Sequence, residues 1–113
     1  MDTYNKMHDL VRAIKNSEEY KAFKNSKEAI DANPKNKQML EDFRKKQVKI
    51  QAMQIDGDNV PDEKMQQLDN MYKALLSIAD ISLFLEAEYT FNKLMNDLFK
   101  ILSDEIAKDL GIE

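Results

Sequence analysis

Between Asp80 and Asp109 the sequence has no glycine and no proline, and large apolar residues recur along its whole length. At 100° per residue, Ile81, Leu83, Phe84, Leu85, Ala87, Phe91, Leu94, Met95, Leu98, Phe99, Ile101, Leu102 and Ile106 spread over roughly 200° of a helical wheel. One neighbouring helix covers about half of such an arc. Ser82, Glu86, Lys93, Asn96, Asp97, Lys100, Asp104 and Lys108 fill the rest, so the stretch predicts a long helix with one wet face and two flanks that need cover.

The remainder of the chain must supply that cover or leave it to another molecule. With 113 residues and 42% hydrophobic content, residues 1–113 predict a single helical domain with a small core. Two glycines, two prolines and 34% charged residues are too little punctuation for a sheet built on tight turns. The expected fold class is all-α, a helical hairpin or bundle of about five helices with a long C-terminal helix. The net charge of −4 conceals an asymmetry, because residues 1–60 carry 12 Lys/Arg against 10 Asp/Glu, whereas residues 61–113 carry 5 against 11. The two halves attract, within one molecule or between two. Such a balance argues against general nucleic-acid binding, which calls for a strongly basic domain.

The absence of cysteine excludes disulfides, thiolate zinc sites, cysteine-ligated clusters and a Cys nucleophile, and no cofactor is expected. The N-terminus lacks a basic region followed by an apolar one, and no apolar run approaches the roughly 20 residues of a membrane span. A soluble, cytoplasmic protein is expected, without membrane insertion.

Taken in order, Asp2 or Thr3 can cap a first helix carrying Tyr4, Met7, Leu10, Val11 and Ile14 at 3–4 spacing. Asn16-Ser17 offers a second cap with Glu18 and Glu19 in the next turn, which predicts a break or bend near residue 16. A second helix over about 18–32 presents Tyr20, Phe23 and Ile30 and ends at Asn33-Pro34. The third, over about 35–54, places Met39, Leu40, Phe43, Ile50 and Met53 on one side, with Gln47, Gln51 and Gln54 at its edge. Asp56-Gly57-Asp58-Asn59 signals a turn, and Pro61 suits the first position of a fourth helix bearing Met65, Leu68, Met71, Tyr72, Leu75, Leu76, Ile78 and Ala79. Asp80 can cap a separate last helix, yet nothing at 77–82 forces a stop, so residues 62–109 read as one helix or two. Gly111 closes the last helix.

Glu88 is the residue that periodicity cannot absorb. It falls among Ile81, Phe84, Leu85, Phe91 and Met95, inside the apolar arc, where a carboxylate must find partners or change its pKa. No second carboxylate or His shares that arc at metal or acid/base spacing, which favours a buried polar clasp over a catalytic group. Gln47 and Gln51 are the expected partners; Phe84, Phe91 and Met95 are the apolar interface candidates around it. His8 is the only histidine and has no metal-spaced partner. Asp56-Gly57-Asp58 resembles a calcium loop only superficially, since its ligands and closing Glu are out of register. No phosphate loop or Ser/His/Asp set can be assembled, so neither catalytic nor metal residues are assigned and an enzyme is not expected. Arg44, Lys45, Lys46 and Lys49, with Lys35 and Lys37 upstream, form the one basic cluster, best read as a solvated face. The alternative is an RNA-binding module using Lys45, Lys46 and Lys49 on the third helix. Met39, Met53, Met65, Met71 and Met95 sit on apolar faces and can repack against more than one partner.

Asn16-Ser17-Glu18-Glu19-Tyr20-Lys21, Phe43-Arg44-Lys45-Lys46-Gln47 with Gln51 one turn later, the Gly57 turn, and Leu85-Glu86-Ala87-Glu88-Tyr89 occur in an order that resembles the YlbF/YmcA-like family of small bacterial helical proteins. The likeness spans almost the full chain and is greatest to the YheA-type branch. The resemblance implies a compact all-α, non-enzymatic protein of Firmicute-type bacteria that self-associates. It further implies regulatory partnership in competence, sporulation and biofilm formation, through a complex that modulates an RNA-processing endonuclease. Some relatives hold an iron–sulfur cluster on cysteines; with none here, that cofactor does not carry over, and the family supplies no catalytic residues.

The expectation is therefore a core formed by the fourth and last helices. The third packs across them, the two N-terminal helices cover an edge, and a second copy buries the surplus of residues 81–106. That makes a homodimer or higher homo-oligomer acting as a regulatory adaptor on an unidentified protein partner.

Overall fold

A computed structural model describes residues 2–112 and contains five α-helices, with no strand among the described residues. They are α1 (Asp2–Lys15), α2 (Glu18–Asp31), α3 (Pro34–Ile55), α4 (Asp62–Leu76) and α5 (Ala79–Leu110). The expected all-α class with a long last helix is what is found, α5 running for 32 residues.

Each junction follows from local chemistry. Ser17 closes one helix and opens the next: its hydroxyl donates to the Ile14 carbonyl at 2.6 Å and accepts from the Tyr20 amide at 3.2 Å. That second bond is the N-cap contact a serine supplies to the third residue of a helix, and Glu18 and Glu19 follow in the first turn of α2. Asn33 is extended ahead of Pro34 and its side-chain oxygen accepts from the Asn36 amide at 3.1 Å, so α3 starts on a capped, proline-led turn. At the far end of α3, Gly57 has a φ of 78°, its amide reaches the Gln54 carbonyl, and the Asp58 amide reaches back to Met53. This 6→1 and 5→2 pair is a Schellman stop, and the same arrangement recurs where Gly111 and Ile112 close α5 on Lys108 and Ala107. Pro61 stands one position earlier than expected, at the N-cap of α4.

The undecided stretch near residue 77 is two helices, not one. The Ser77 hydroxyl donates to the Ala74 carbonyl at 2.6 Å, and its amide is shared between Lys73 and Ala74. A serine that satisfies nearby carbonyls with its own side chain competes with helix propagation, and here α4 ends without glycine or proline. Ile78 then accepts from the Ser82 amide at 2.9 Å to begin α5. Asp80 lies in the first turn of α5, where a carboxylate suits the dipole, and is not itself the cap.

By backbone packing the chain divides into two compact units, Met1–Asn25 with Leu85–Glu113, and Ser26–Phe84. In the Ser26–Phe84 unit, α3 packs along α4, and the enclosed residues are Ile30, Asn36, Leu40, Phe43, Ile50, Leu75, Ile81 and Phe84. Ile81 has no exposed surface and Leu75 retains 2%. The Phe43 and Tyr72 rings meet at 5.7 Å, and the Arg44 guanidinium lies 5.8 Å from the centre of the Phe84 ring. The third helix thus buries the stripe expected of it, with Met39 and Met53 half-covered.

In the other unit, Phe91 of α5 takes Tyr20 edge-on at 6.0 Å and Phe23 at 5.4 Å. Little else there is enclosed. No residue of α1 is buried, so the expected edge-covering role for that helix is not realised, and Tyr4, Met7, Leu10 and Val11 stay exposed.

Two substitutions separate packing from backbone effects. Ile81→Ala empties a fully enclosed site and should cost about 3 kcal/mol in denaturant unfolding. Gly57→Ala meets no atom within 4 Å yet must hold a left-handed conformation, and should cost about 1 kcal/mol. Equal losses at the two positions would contradict this assignment.

Candidate interaction surface

Burial declines along α5 while apolar content does not. Ile81, Phe84 and Ala87 are enclosed; Leu85, Phe91, Leu94, Met95 and Leu98 are half-buried; beyond them Phe99 is 62% exposed, Leu102 50% and Ile106 53%. Ile101 and Leu110 are likewise open to solvent. The broad apolar arc read from the sequence is therefore real, and its second half is uncovered within one chain. Groups of this size left in water forgo about 1.5–3 kcal/mol each of the transfer free energy that burial would supply.

The residues grouped around Glu88 do not share one fate. Phe84 is taken into the core at 6% exposure, beneath Arg44, and is not offered at a surface. Phe91 is the centre of the aromatic trio with Tyr20 and Phe23, and Met95 lies half-covered one turn further on. Glu88 is half-buried, Gln47 half-buried and Gln51 exposed. No buried side-chain nitrogen or oxygen among the described residues lacks a hydrogen-bond partner. Among the described residues, no three His, Cys, Asp or Glu side chains converge in a way that could hold a metal, and His8 is exposed on α1. No helix of the described residues is long and apolar enough to cross a membrane.

The basic cluster divides into parts with separate roles. Lys37 pairs with Asp31 at 3.6 Å, and Lys27 reaches the same carboxylate from one turn before at 2.8 Å. Arg44 covers Phe84. Lys45, Lys46 and Lys49 stay together and, with Lys64 of α4, line an open groove of about 270 Å³ whose apolar wall is Ile50 and Met53. Lys46 Nζ donates to Gln67 Oε1 at 2.8 Å across the two helices. Lys64 was not legible as a member of this set, because it lies on a different helix and no periodicity links it to α3. Its only sequence signal is a lysine at the third position of an otherwise acidic helix start.

Fold and surface together define a small five-helix protein that presents to solvent the apolar face of α5 and this lysine groove. Comparison with known proteins places the chain more closely. The family described as control of competence regulator ComK, YlbF/YmcA, matches residues 3–107, and the chain belongs to it. It is 41% identical over 102 residues to a UPF0342 protein of Halothermothrix orenii, covering 90% of this chain and 86% of that one. It is 36% identical over 107 residues to a UPF0342 protein of Symbiobacterium thermophilum, covering 95% and 96%. A Clostridium novyi relative is 36% identical over 109 residues, covering 96% of each chain. The resemblance read from the ordered motifs is thus established at the level of family. The family's description is regulatory and names no reaction.

The Lys27–Asp31–Lys37 pairing also has a pH signature. The hydrogen bond from Lys27, followed by the charges of Lys27 and Lys37, holds the Asp31 carboxyl below its ordinary value. A carboxylate so lowered contributes stability that is full above its unfolded value and is lost as pH falls through the lowered one. Titration of Asp31 by carboxyl NMR should show a midpoint below that of an unpaired aspartate, and Lys27→Met should raise it. An unchanged midpoint in that variant would remove Lys27 as the main cause.

Proposed function

We propose that this protein is a non-enzymatic regulatory adaptor, acting in the cytoplasm through protein contacts and as a homodimer or higher homo-oligomer. The observation that carries the reading is the uncovered apolar run of Phe99, Ile101, Leu102 and Ile106 on a helix whose first turns enclose Ile81, Phe84 and Ala87. A regulatory family and an exposed apolar helix face agree with a protein whose work is done by docking. The family's connection with control of competence supports a place in competence, sporulation or biofilm regulation, and we extend it to control of RNA processing through a partner protein. The half-buried Glu88 fits a positioning role at such a contact, holding register.

Direct RNA binding is the second reading, and the Lys45, Lys46, Lys49 and Lys64 groove is what favours it. Against it stand the net charge of −4 and a groove with no aromatic wall on which bases could stack. Binding to single-stranded RNA should be undetectable at physiological salt; affinity that falls steeply with added salt would support the second reading.

Light scattering at micromolar concentration should give twice the chain mass or more. Phe99→Ser combined with Leu102→Ser should weaken association by about a hundredfold, the equivalent of about 3 kcal/mol of lost burial. A folded monomer at all concentrations would overturn self-association. Affinity capture from a native lysate should retain protein partners equally with and without nuclease, and their loss on nuclease treatment would point to RNA instead.

A further inference from the structure

We propose that the lysine groove between α3 and α4 receives the Leu102–Asp109 turns of α5 from a second copy of this chain, each copy giving one helix end and accepting another. This inference rests on the self-association reading and assigns the surfaces that meet.

The groove sets the chemistry of its occupant. Ile50, 3% exposed, and Met53 form its apolar wall, and Lys45, Lys46, Lys49 and Lys64 surround it. Lys46 is engaged by Gln67, whereas Lys45, Lys49 and Lys64 make no ion pair with a described residue. Four ammonium groups around one concavity repel one another, and a ligand that relieves them must carry negative charge beside apolar surface.

The end of α5 has that composition. Leu102, Glu105, Ile106 and Asp109 fall at i, i+3, i+4 and i+7, so two aliphatic side chains and two carboxylates share one helix face. Leu102 and Ile106 are half-exposed, and neither carboxylate makes an ion pair with a described residue. Asp109 also stands in the last turn of α5, at the negative end of the helix dipole, where a carboxylate is disfavoured. Lys108 is the one basic residue of that turn, and a lysine from another molecule offsets the penalty further.

The wider charge distribution points the same way. Residues 1–60, which contribute Lys45, Lys46 and Lys49, carry 12 Lys/Arg against 10 Asp/Glu, and residues 61–113, which contribute Glu105 and Asp109, carry 5 against 11. Reciprocal use of groove and helix end closes a pair, whereas one-way use would propagate into a filament.

Charge exchange tests the proposal on the full chain. Lys45→Glu with Lys49→Glu changes two exposed lysines, and Glu105→Lys with Asp109→Lys changes two exposed carboxylates, so both variants should keep the wild-type circular dichroism. Each variant alone should pair about tenfold or more weakly than wild type in sedimentation equilibrium. The first variant has an acidic groove and an acidic helix end, the second a basic groove and a basic helix end. An equimolar mixture should therefore recover a mixed pair, visible by native mass spectrometry, within about threefold of wild-type affinity. If both variants pair as wild type does, the groove is not the seat, while self-association stands. A monomeric wild type would remove the reading beneath this one and the inference with it. If Lys45→Glu with Lys49→Glu instead abolishes binding of an oligouridine probe and leaves pairing unchanged, the groove is a phosphate site and the proposal is overturned.

Discussion

The junction at Ser77-Ile78 is the constraint from which the core follows. Leu75 and Ile81 are the two most completely enclosed large side chains, and they are six residues apart. On an uninterrupted helix six residues turn through about 600°, which leaves two such side chains about 120° apart, too far round to point at the same neighbour. Ending α4 at Leu76 and restarting at Ala79 frees the second helix to take its own direction, and both residues are enclosed. The local agent is modest, a serine hydroxyl bonded to Ala74, and the gain is the burial of two branched aliphatic side chains.

From that junction the burial declines towards the C-terminus. Phe84 and Ala87 are enclosed, the aromatic contact of Phe91 with Tyr20 and Phe23 holds the middle of α5, and beyond Leu98 the apolar residues face water. Nothing in the sequence lessens the apolar demand over the same interval. A chain that keeps Phe99, Ile101, Leu102 and Ile106 uncovered has apolar surface that association would bury, which is the physical basis for the proposal that it is a protein of contacts.

Much of this was legible before any coordinates. Ser17, Asn33-Pro34, Gly57 and Gly111 each have a local conformational preference strong enough to end or begin a helix, and each does so. The apolar stripe of α3 was readable because Leu40, Phe43 and Ile50 repeat at helical spacing. Three features were not. The Ser77 break lacks glycine or proline, and serine hydroxyls bond back to carbonyls in many unbroken helices. The exposure of α1 depends on what packs against it, which amphipathicity alone does not state. The lysine groove joins residues about one turn apart on α3 to Lys64 on α4, a juxtaposition made by helix packing and not by any repeat along the chain.

The central claim, that the outer half of α5 is sheltered by a second copy, is tested most directly by amide hydrogen exchange across that helix over a range of protein concentrations. Protection of residues 98–110 should rise with concentration while that of residues 81–87, where Ile81, Phe84 and Ala87 are already enclosed within the chain, stays constant. Protection that is the same at every concentration along the whole helix, in a protein that remains folded, would contradict it.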